Sequence, residues 1–102
     1  MANTKKIALI TGANKGLGFE MARQLGKAGV TVVLAARDPQ KGEAAAAKLR
    51  AEGPDAQFLK LDVTDKADRA AASAFLDKKF GRLDILINNA GISAEHADNQ
   101  AG

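Results

Sequence analysis

The sequence predicts an α/β protein built on a doubly wound parallel sheet. Four short apolar segments rich in β-formers alternate with three segments of helical character, and no internal repeat interrupts them. Continuous apolar strands that alternate with helices are typical of a parallel sheet that is covered on both faces. Right-handed crossovers between successive strands then favour a doubly wound topology in the order β-α-β-α-β-α-β.

The first strand and helix are predicted from a change in residue spacing. Residues 6–10 form a short apolar run, and residues 16–28 shift to helical spacing, with Gly29 where a helix C-cap is expected. The predicted inner face of this helix consists of Leu17, Met21, Leu25 and Ala28.

The second strand and helix follow directly along the chain. The β-branched run at residues 31–35 predicts a strand. Asp38 is a good N-cap and Pro39 suits the first helical position, so a helix is predicted over residues 40–52, which ends at Gly53.

The remaining elements are predicted in the same way. Residues 57–61 and 83–88 have the apolar character of buried strands, and residues 66–80 predict a helix that is capped by Thr64 or Asp65 and ended by Gly81. The predicted inner side of this helix consists of Ala67, Ala71, Ala74, Phe75 and Leu76.

Composition excludes several kinds of site. The chain of 102 residues suits one domain or part of a larger one, and its net charge of +3 is spread without the like-charge runs of a nucleic-acid tail. The absence of cysteine and the single histidine exclude thiolate catalysis, disulfides and multi-histidine metal sites. No apolar run is long enough for a signal peptide or a membrane helix, so a cytoplasmic location without a membrane partner is predicted.

The motif TGANKGLG, which begins at Thr11, lies between the first strand and the first helix. This context is the one that a dinucleotide-binding loop requires, although the glycines are spaced G-x-x-x-G-x-G. Gly12 would turn the chain off the strand, Gly16 would admit a pyrophosphate, and Gly18 would let the helix pack close to the strand. The free N–H groups of the helix start would bind the phosphates, while Thr11 and Asn14 brace the loop or contact the ligand. The alternative is a glycine-rich turn without a ligand.

Three motifs together resemble the short-chain dehydrogenase/reductase family. T-G-x-x-x-G-x-G is similar to the family's cofactor signature, LDVT at residues 61–64 to the end of its third strand, and NNAG at residues 88–91 to its fourth-strand motif. They occur in the family's order and cover residues 5–93. Within the family, NKGLG followed by AARD most resembles the carbonyl-reductase-like branch. The resemblance implies a Rossmann-type sheet with strand order 3-2-1-4, truncated after the fourth strand.

The resemblance also implies roles for the two later motifs. Asp62 would accept a hydrogen bond from the adenine amino group, and Val63 would pack on the ring. Asn89 would contact the cofactor, Asn88 would brace the sheet, and residues 90–91 would let the chain pass close to the ribose and nicotinamide. The alternatives are that Asp62 only caps the next helix and that NNAG is a simple turn. The full predicted cofactor-binding set is Gly12, Asn14, Lys15, Gly16, Leu17, Gly18, Arg37, Asp62, Val63, Asn89, Ala90 and Gly91.

The end of the second strand predicts NADP rather than NAD. The position that an acidic residue occupies in NAD-binding sites aligns with Ala36, and Arg37 follows it. Arg37 could bind the 2′-phosphate through two hydrogen bonds, and Lys15 could add a second charge to the same group. Solvated surface side chains are the alternative for both. If the strand ended later, Asp38 could bind the ribose and the cofactor would be NAD.

The resemblance implies a catalytic Tyr-x-x-x-Lys pair with a preceding serine, but this chain contains no tyrosine. No catalytic residue is therefore assigned. The expected function is the cofactor-binding half of an NADP-dependent oxidoreductase that acts on a small carbonyl or alcohol, inactive alone, with homo-oligomerisation left open. A non-catalytic dinucleotide-binding module or an inactive truncation product is the alternative. Residues 1–102 are interpreted as one domain, and the polar tail at 92–102 as disordered or truncated.

Overall fold

A computed structural model describes residues 5–89 of the chain. Its seven elements are β1 (Ile7–Thr11), α1 (Gly16–Lys27), β2 (Thr31–Ala36), α2 (Pro39–Ala51), β3 (Ala56–Lys60), α3 (Lys66–Phe80) and β4 (Ile85–Ile87). The strands are all parallel and lie in the order β3-β2-β1-β4, which confirms the predicted Rossmann-type topology. The predicted tail at residues 92–102 lies outside the described residues.

The predicted fourth strand is too long. The other elements agree with prediction to within one residue at each end, but β4 is limited to Ile85–Ile87 instead of residues 83–88. Asp84 fixes the start of this strand to β1, since its carboxylate accepts from the Ile7 N–H at 2.8 Å and its own N–H donates to the Ile7 carbonyl at 3.0 Å. Asn88 and Asn89 lie beyond the ladder, where the Asn88 side chain accepts from Thr11 at the end of β1 and the Asn89 side chain donates to Gly12 in the loop after it.

The core has two parts, one on each face of the sheet. Alternate strand residues such as Ile10 and Leu34 pack against α1 and α2, while Leu9 and Val33 face α3. Both faces are therefore covered along β1 and β2, which explains why these strands are apolar throughout. At the edge strand β4, Leu86 is 62% exposed.

The predicted inner face of α1 is only partly right. Leu17 is 67% exposed, and Ala28 is exposed as well. The buried residues of the helix are instead the small ones, namely Gly18, Ala22 and Gly26. The reason is close approach: a Cβ atom at Gly18 would lie 2.6 Å from the Gly12 carbonyl oxygen, so a larger side chain has no space at this position. Of the predicted face, Leu25 packs against the core and Met21 is half-buried.

The predicted inner side of α3 is only partly right. Leu76 is buried and Phe75 packs beside it, but the buried alanine is Ala72. The three alanines of the prediction are exposed, namely Ala67, Ala71 and Ala74. In an alanine-rich helix the large side chains determine which face is buried, because they carry most of the apolar area.

No helix within residues 5–89 combines the length and the apolar character that crossing a membrane requires.

Candidate cofactor-binding site

The predicted site residues within residues 5–89 lie at the carboxyl edge of the sheet, in the segments that follow the four strands. The loop after β1 makes its turns at Gly12 and Gly16, which have φ angles of 61° and 62°. These left-handed conformations are the ones that glycine adopts without a steric cost. The N–H of Ala13 donates to the Ala35 carbonyl at 3.1 Å, so the loop is held above the end of β2.

Side chains that follow β4 hold the glycine loop from the other side. The amide of Asn89 donates to the Gly12 carbonyl at 3.1 Å, and Asn89 is only 7% exposed. The Thr11 hydroxyl donates to the Asn88 side-chain oxygen at 3.1 Å. Thr11 and Asn88 thus have the predicted bracing role. For Asn89 the structure shows a bracing contact that the sequence did not suggest, and its cofactor contact stays a prediction.

Gly18 completes this contact between loop, helix and strand end. A Cβ atom there would lie 2.6 Å from the Gly12 oxygen and 2.7 Å from the Asn89 amide nitrogen. The start of the helix therefore packs so closely against the loop that position 18 requires glycine, which agrees with the role predicted for Gly18.

The start of α1 is open. Its N-cap, Lys15, has an extended backbone and makes no side-chain capping bond within the described residues, and no acidic residue lies in the first turn. The first N–H groups of a helix lack partners inside the helix, and they lie at the positive end of the helix dipole. Outside the chain neighbours of Gly16 and the backbone of α1 itself, no described atom lies within 4 Å of the position that a Cβ atom would take there. This helix start can therefore accept an anion.

A basic groove runs from this helix start to α2, with a volume of about 560 Å³. It is lined by Asn14, Lys15, Gly16 and Phe19 on one side and by Lys41, Ala44, Ala45 and Lys48 on the other. Among these lining residues three are cationic and none is acidic. Lys41 and Lys48 were not among the residues predicted from the sequence, although their spacing of seven residues places them on one face of α2 with the two small alanines.

Phe19 forms the apolar part of the groove. The Lys48 ammonium lies 5.7 Å from the centroid of its ring, and the Arg23 guanidinium lies 4.9 Å from it. Arg23 is itself neutralised, because it pairs with Glu52 at 2.8 Å and also with Glu20. The uncompensated positive charge of the groove therefore comes from the lysines rather than from Arg23.

Arg37 and Asp38 occupy separate positions. β2 ends at Ala36, and Asp38 caps α2 by accepting from the N–H groups of Gln40 and Lys41 at 2.9 and 3.3 Å. Arg37 is exposed and does not line the described groove, so the structure does not bring it together with Lys15 there. Its charge acts instead on Asp62.

Asp62 and Val63 follow β3 at the same edge. One Asp62 carboxylate oxygen accepts from the Thr64 N–H at 2.9 Å and from the Thr64 hydroxyl at 2.7 Å. These bonds, with a contribution from the charge of Arg37, hold the pKa of Asp62 below its usual range. Asp62 is therefore ionised at neutral pH, and both of its carboxylate oxygens can accept hydrogen bonds. Asp65, not Thr64, caps α3, so Asp62 is not the helix cap.

Similarity to known proteins decides the family. The family model described as short chain dehydrogenase matches residues 6–101. The chain belongs to the short-chain dehydrogenase/reductase family. It is 48% identical over 97 residues to (-)-isopiperitenone reductase of Mentha piperita, covering 91% of this chain and 31% of that protein. It is 45% identical over 100 residues to carbonyl reductase [NADPH] 1 of Mus musculus, covering 97% of this chain and 36% of that protein.

The fold of this family member is also that of solved family structures. Menthone neomenthol reductase from Mentha piperita superimposes with a TM-score of 0.80 at 39% identity, over 96% of this chain and 41% of that one. The chain thus spans about a third of the length of the two curated relatives, 31% and 36%. Two predicted site residues, Ala90 and Gly91, lie outside the described residues.

Proposed function

We propose that the chain binds NADP as the cofactor-binding part of a short-chain dehydrogenase/reductase. The observation that carries this proposal is the basic groove at the open start of α1, where three lysines and no acidic residue line the same surface. Cofactors of this type carry a pyrophosphate, and NADP carries a further 2′-phosphate. The name of the mouse carbonyl reductase, which specifies NADPH, supports the choice.

The described residues fit such a cofactor. The N–H groups at the start of α1 would bind the pyrophosphate, because Gly16 leaves their approach open. Asn14 would contact the pyrophosphate from the loop, Lys15 would act on the 2′-phosphate, and the exposed Leu17 would cover the bound dinucleotide. Lys41 adds a charge from α2 that would act on the 2′-phosphate.

The adenosine end would lie between the ends of β2 and β3. Arg37 would bind the 2′-phosphate from the side opposite Lys15, since it is close to Asp62 and outside the groove. Asp62 would accept from the adenine amino group through the carboxylate oxygen that Thr64 leaves free. The position of Asp38 supports NADP over NAD, because β2 ends at Ala36 and Asp38 serves as the N-cap of α2.

The bound nicotinamide would supply hydride transfer to or from a carbonyl or secondary alcohol. The chain would contribute binding and orientation only, because its sequence contains no tyrosine to act as the family's acid or base. We therefore expect it to bind the cofactor without turning over a substrate. Homo-oligomerisation and a cytoplasmic location remain predictions from the sequence.

The first test is a titration of the chain with NADP and NAD. We expect NADP to bind more tightly, and Lys15→Ala, Lys41→Ala or Arg37→Ala to weaken NADP about tenfold while changing NAD little. A hydrogen bond to a charged group contributes about 1.5–3 kcal/mol, which corresponds to a factor of ten or more. Lys78→Ala, on the exposed side of α3, is the matched control and should change neither affinity. Equal weakening of NADP and NAD would contradict the 2′-phosphate assignment.

A non-catalytic dinucleotide-binding protein is the second candidate, favoured by the absence of tyrosine. Reading the coding sequence beyond Gly102 separates the two candidates. An in-frame serine and Tyr-x-x-x-Lys would support the oxidoreductase, and a stop codon would support a binding module or an inactive product. Cofactor titration would then distinguish these last two.

A further inference from the structure

The first turn of α3 holds the segment that follows β3 by its backbone. The last sheet hydrogen bond on this side joins the Leu61 N–H to the Ala36 carbonyl at 2.9 Å. Beyond that point Asp62 and Val63 have left the ladder, and their peptide groups need other partners. Two neighbouring side chains of α3, Asp68 and Arg69, provide them.

Asp68 binds the first residue of this segment. Its carboxylate oxygen accepts from the Asp62 N–H at 2.9 Å and from the Lys60 ammonium at 2.8 Å. Its side chain is only 18% exposed, so the contact to the Asp62 N–H is partly shielded from water. Hydrogen bonds to an ionised acceptor are stronger than those between neutral groups.

Arg69 binds the second residue. Its guanidinium donates to the Val63 carbonyl at 2.7 Å. The Asp62 carboxylate is meanwhile oriented by Thr64. The N–H group of the first residue, its side chain and the carbonyl of the second are thus each fixed by a different partner.

Capping of α3 does not account for the position of Asp68. Asp65 already caps the helix, by accepting from the N–H groups of Ala67 and Asp68 at 2.8 and 3.2 Å. In a capping box, an acidic residue at this third position would bind back to the N–H of the cap residue. Here the Asp65 N–H donates to the Asp62 carbonyl instead, and the Asp68 side chain reaches past it to the Asp62 N–H.

We propose that Asp68 and Arg69 are positioning residues that hold the Asp62–Val63 backbone in the conformation that recognises adenine. This inference rests on the proposed function, in which Asp62 accepts from the adenine amino group. Preorganisation of this kind lowers the ordering cost of binding without a direct contact to the ligand.

The test compares NADP with its deamino analogue, in which hypoxanthine replaces adenine. The full chain should bind NADP about tenfold or more tightly than the analogue, because only adenine offers an amino group to the Asp62 carboxylate. Asp68→Ala should reduce this ratio towards one, and Arg69→Ala should reduce it by a smaller factor. Asp68→Asn should restore it, since an asparagine oxygen can still accept from the Asp62 N–H.

Asp65→Ala is the matched control. It removes the cap of the same helix and so lowers stability, but it leaves the contact to the Asp62 N–H in place and should keep the adenine preference. An unchanged ratio in Asp68→Ala, with folding verified by circular dichroism, would overturn the inference, as would a loss in Asp65→Ala as large as that in Asp68→Ala. If the unsubstituted chain binds neither dinucleotide, the proposed function itself fails. If it binds both equally, Asp62 does not read adenine and the inference fails with that assignment.

Discussion

The three helices of this chain begin in two different ways. α2 and α3 start at Asp38 and Asp65, each of which accepts two backbone N–H groups of its own helix. α1 starts at Lys15, which makes no such bond within the described residues, and it is preceded by a loop that turns at two left-handed glycines. All three helices follow a strand at the same edge of the sheet, so the difference lies in local sequence and not in topology.

Under the proposed function, this contrast is an exchange of stability for a binding surface. An aspartate cap typically contributes about 1 kcal/mol to a helix. It also places a negative charge where an anionic ligand would bind, and it uses the N–H groups that the ligand needs. At α1 the cap is absent and the nearby groove is basic, which is the arrangement that a phosphate-bearing ligand requires.

The largest expected effect is a loss of stability when a side chain is added at Gly18, where α1 packs against the glycine loop. Gly18→Ala would place a methyl group 2.6 Å from the Gly12 oxygen and 2.7 Å from the Asn89 amide. Because one of these neighbours is backbone, we expect a loss of about 3 kcal/mol in the free energy of unfolding, at the upper end for an overpacked site. Urea denaturation measures it.

Gly16→Ala is the matched comparison, because Gly16 lies only two residues before Gly18. Apart from its chain neighbours and the backbone of α1 itself, no described atom lies within 4 Å of the added methyl group, so the cost is the left-handed φ of 62°, about 1–2 kcal/mol. Its larger consequence should be a weakened affinity for NADP, measured by titration under conditions where the variant is folded. Equal stability losses in the two variants would show that the contact of Gly18 with Gly12 and Asn89 is not tightly packed.

The next largest effect comes from giving α1 the kind of cap that the other helices have. The extended backbone of Lys15 suits an N-cap residue, so Lys15→Asp should raise the free energy of unfolding by about 1 kcal/mol. The same change should lower the affinity for NADP by more than tenfold, because a carboxylate replaces a cation at the phosphate site. Melting curves and cofactor titration on the same preparations measure both.

Lys15→Asn separates capping from charge. It supplies a neutral cap, so its gain in stability should be similar and its affinity for NADP should lie between those of the aspartate variant and the unsubstituted chain. A variant that gained stability and kept its affinity for NADP would contradict the view that the open helix start is the binding surface.

The same contrast marks what the sequence could predict. The N-cap of α2 is confirmed because it depends on a local signal, Asp38 before Pro39. The strand order, which the family resemblance implied, is confirmed as well. The role of Gly18 as a close-packing residue was also readable from its place in the loop. The bracing contact of Asn89 was not, because the strand order does not determine that this side chain reaches the Gly12 carbonyl.

The errors have a common physical origin. Leu17 was assigned to the core because hydrophobic periodicity counts large side chains, whereas the distance between α1 and the sheet is set by glycines that carry none. Lys41 and Lys48 look like ordinary solvated residues in the sequence, and only the position of α2 beside the glycine loop makes them a groove wall. Asp68 likewise looks in the sequence like an ordinary acidic residue of a first helical turn. Only the structure shows that its carboxylate accepts from the Asp62 N–H.

The smallest expected effect is a dependence of stability on pH at the start of α3, which has no counterpart at α1. The pKa of Asp68 is lowered, first by its hydrogen bond with Lys60 and then by the bond from the Asp62 N–H. A lowered pKa means that the unfolded chain binds the proton more readily than the folded one. The stabilisation is therefore complete above the ordinary aspartate pKa of about 3.9 and is lost as the pH falls through the lower folded value.

Urea denaturation between pH 6 and pH 2.5 measures this loss. Other acidic groups with lowered pKa values, such as Asp84 and Glu52, also contribute to the acid limb, so Asp68→Asn should flatten it only in part. Lys60→Met should flatten it as well, because it removes the main cause of the shift while leaving the bond to the Asp62 N–H. A steeper acid limb in either variant would mean that the fold stabilises the protonated form of Asp68. It would contradict the view that the ionised Asp68 carboxylate keeps the segment after β3 in place.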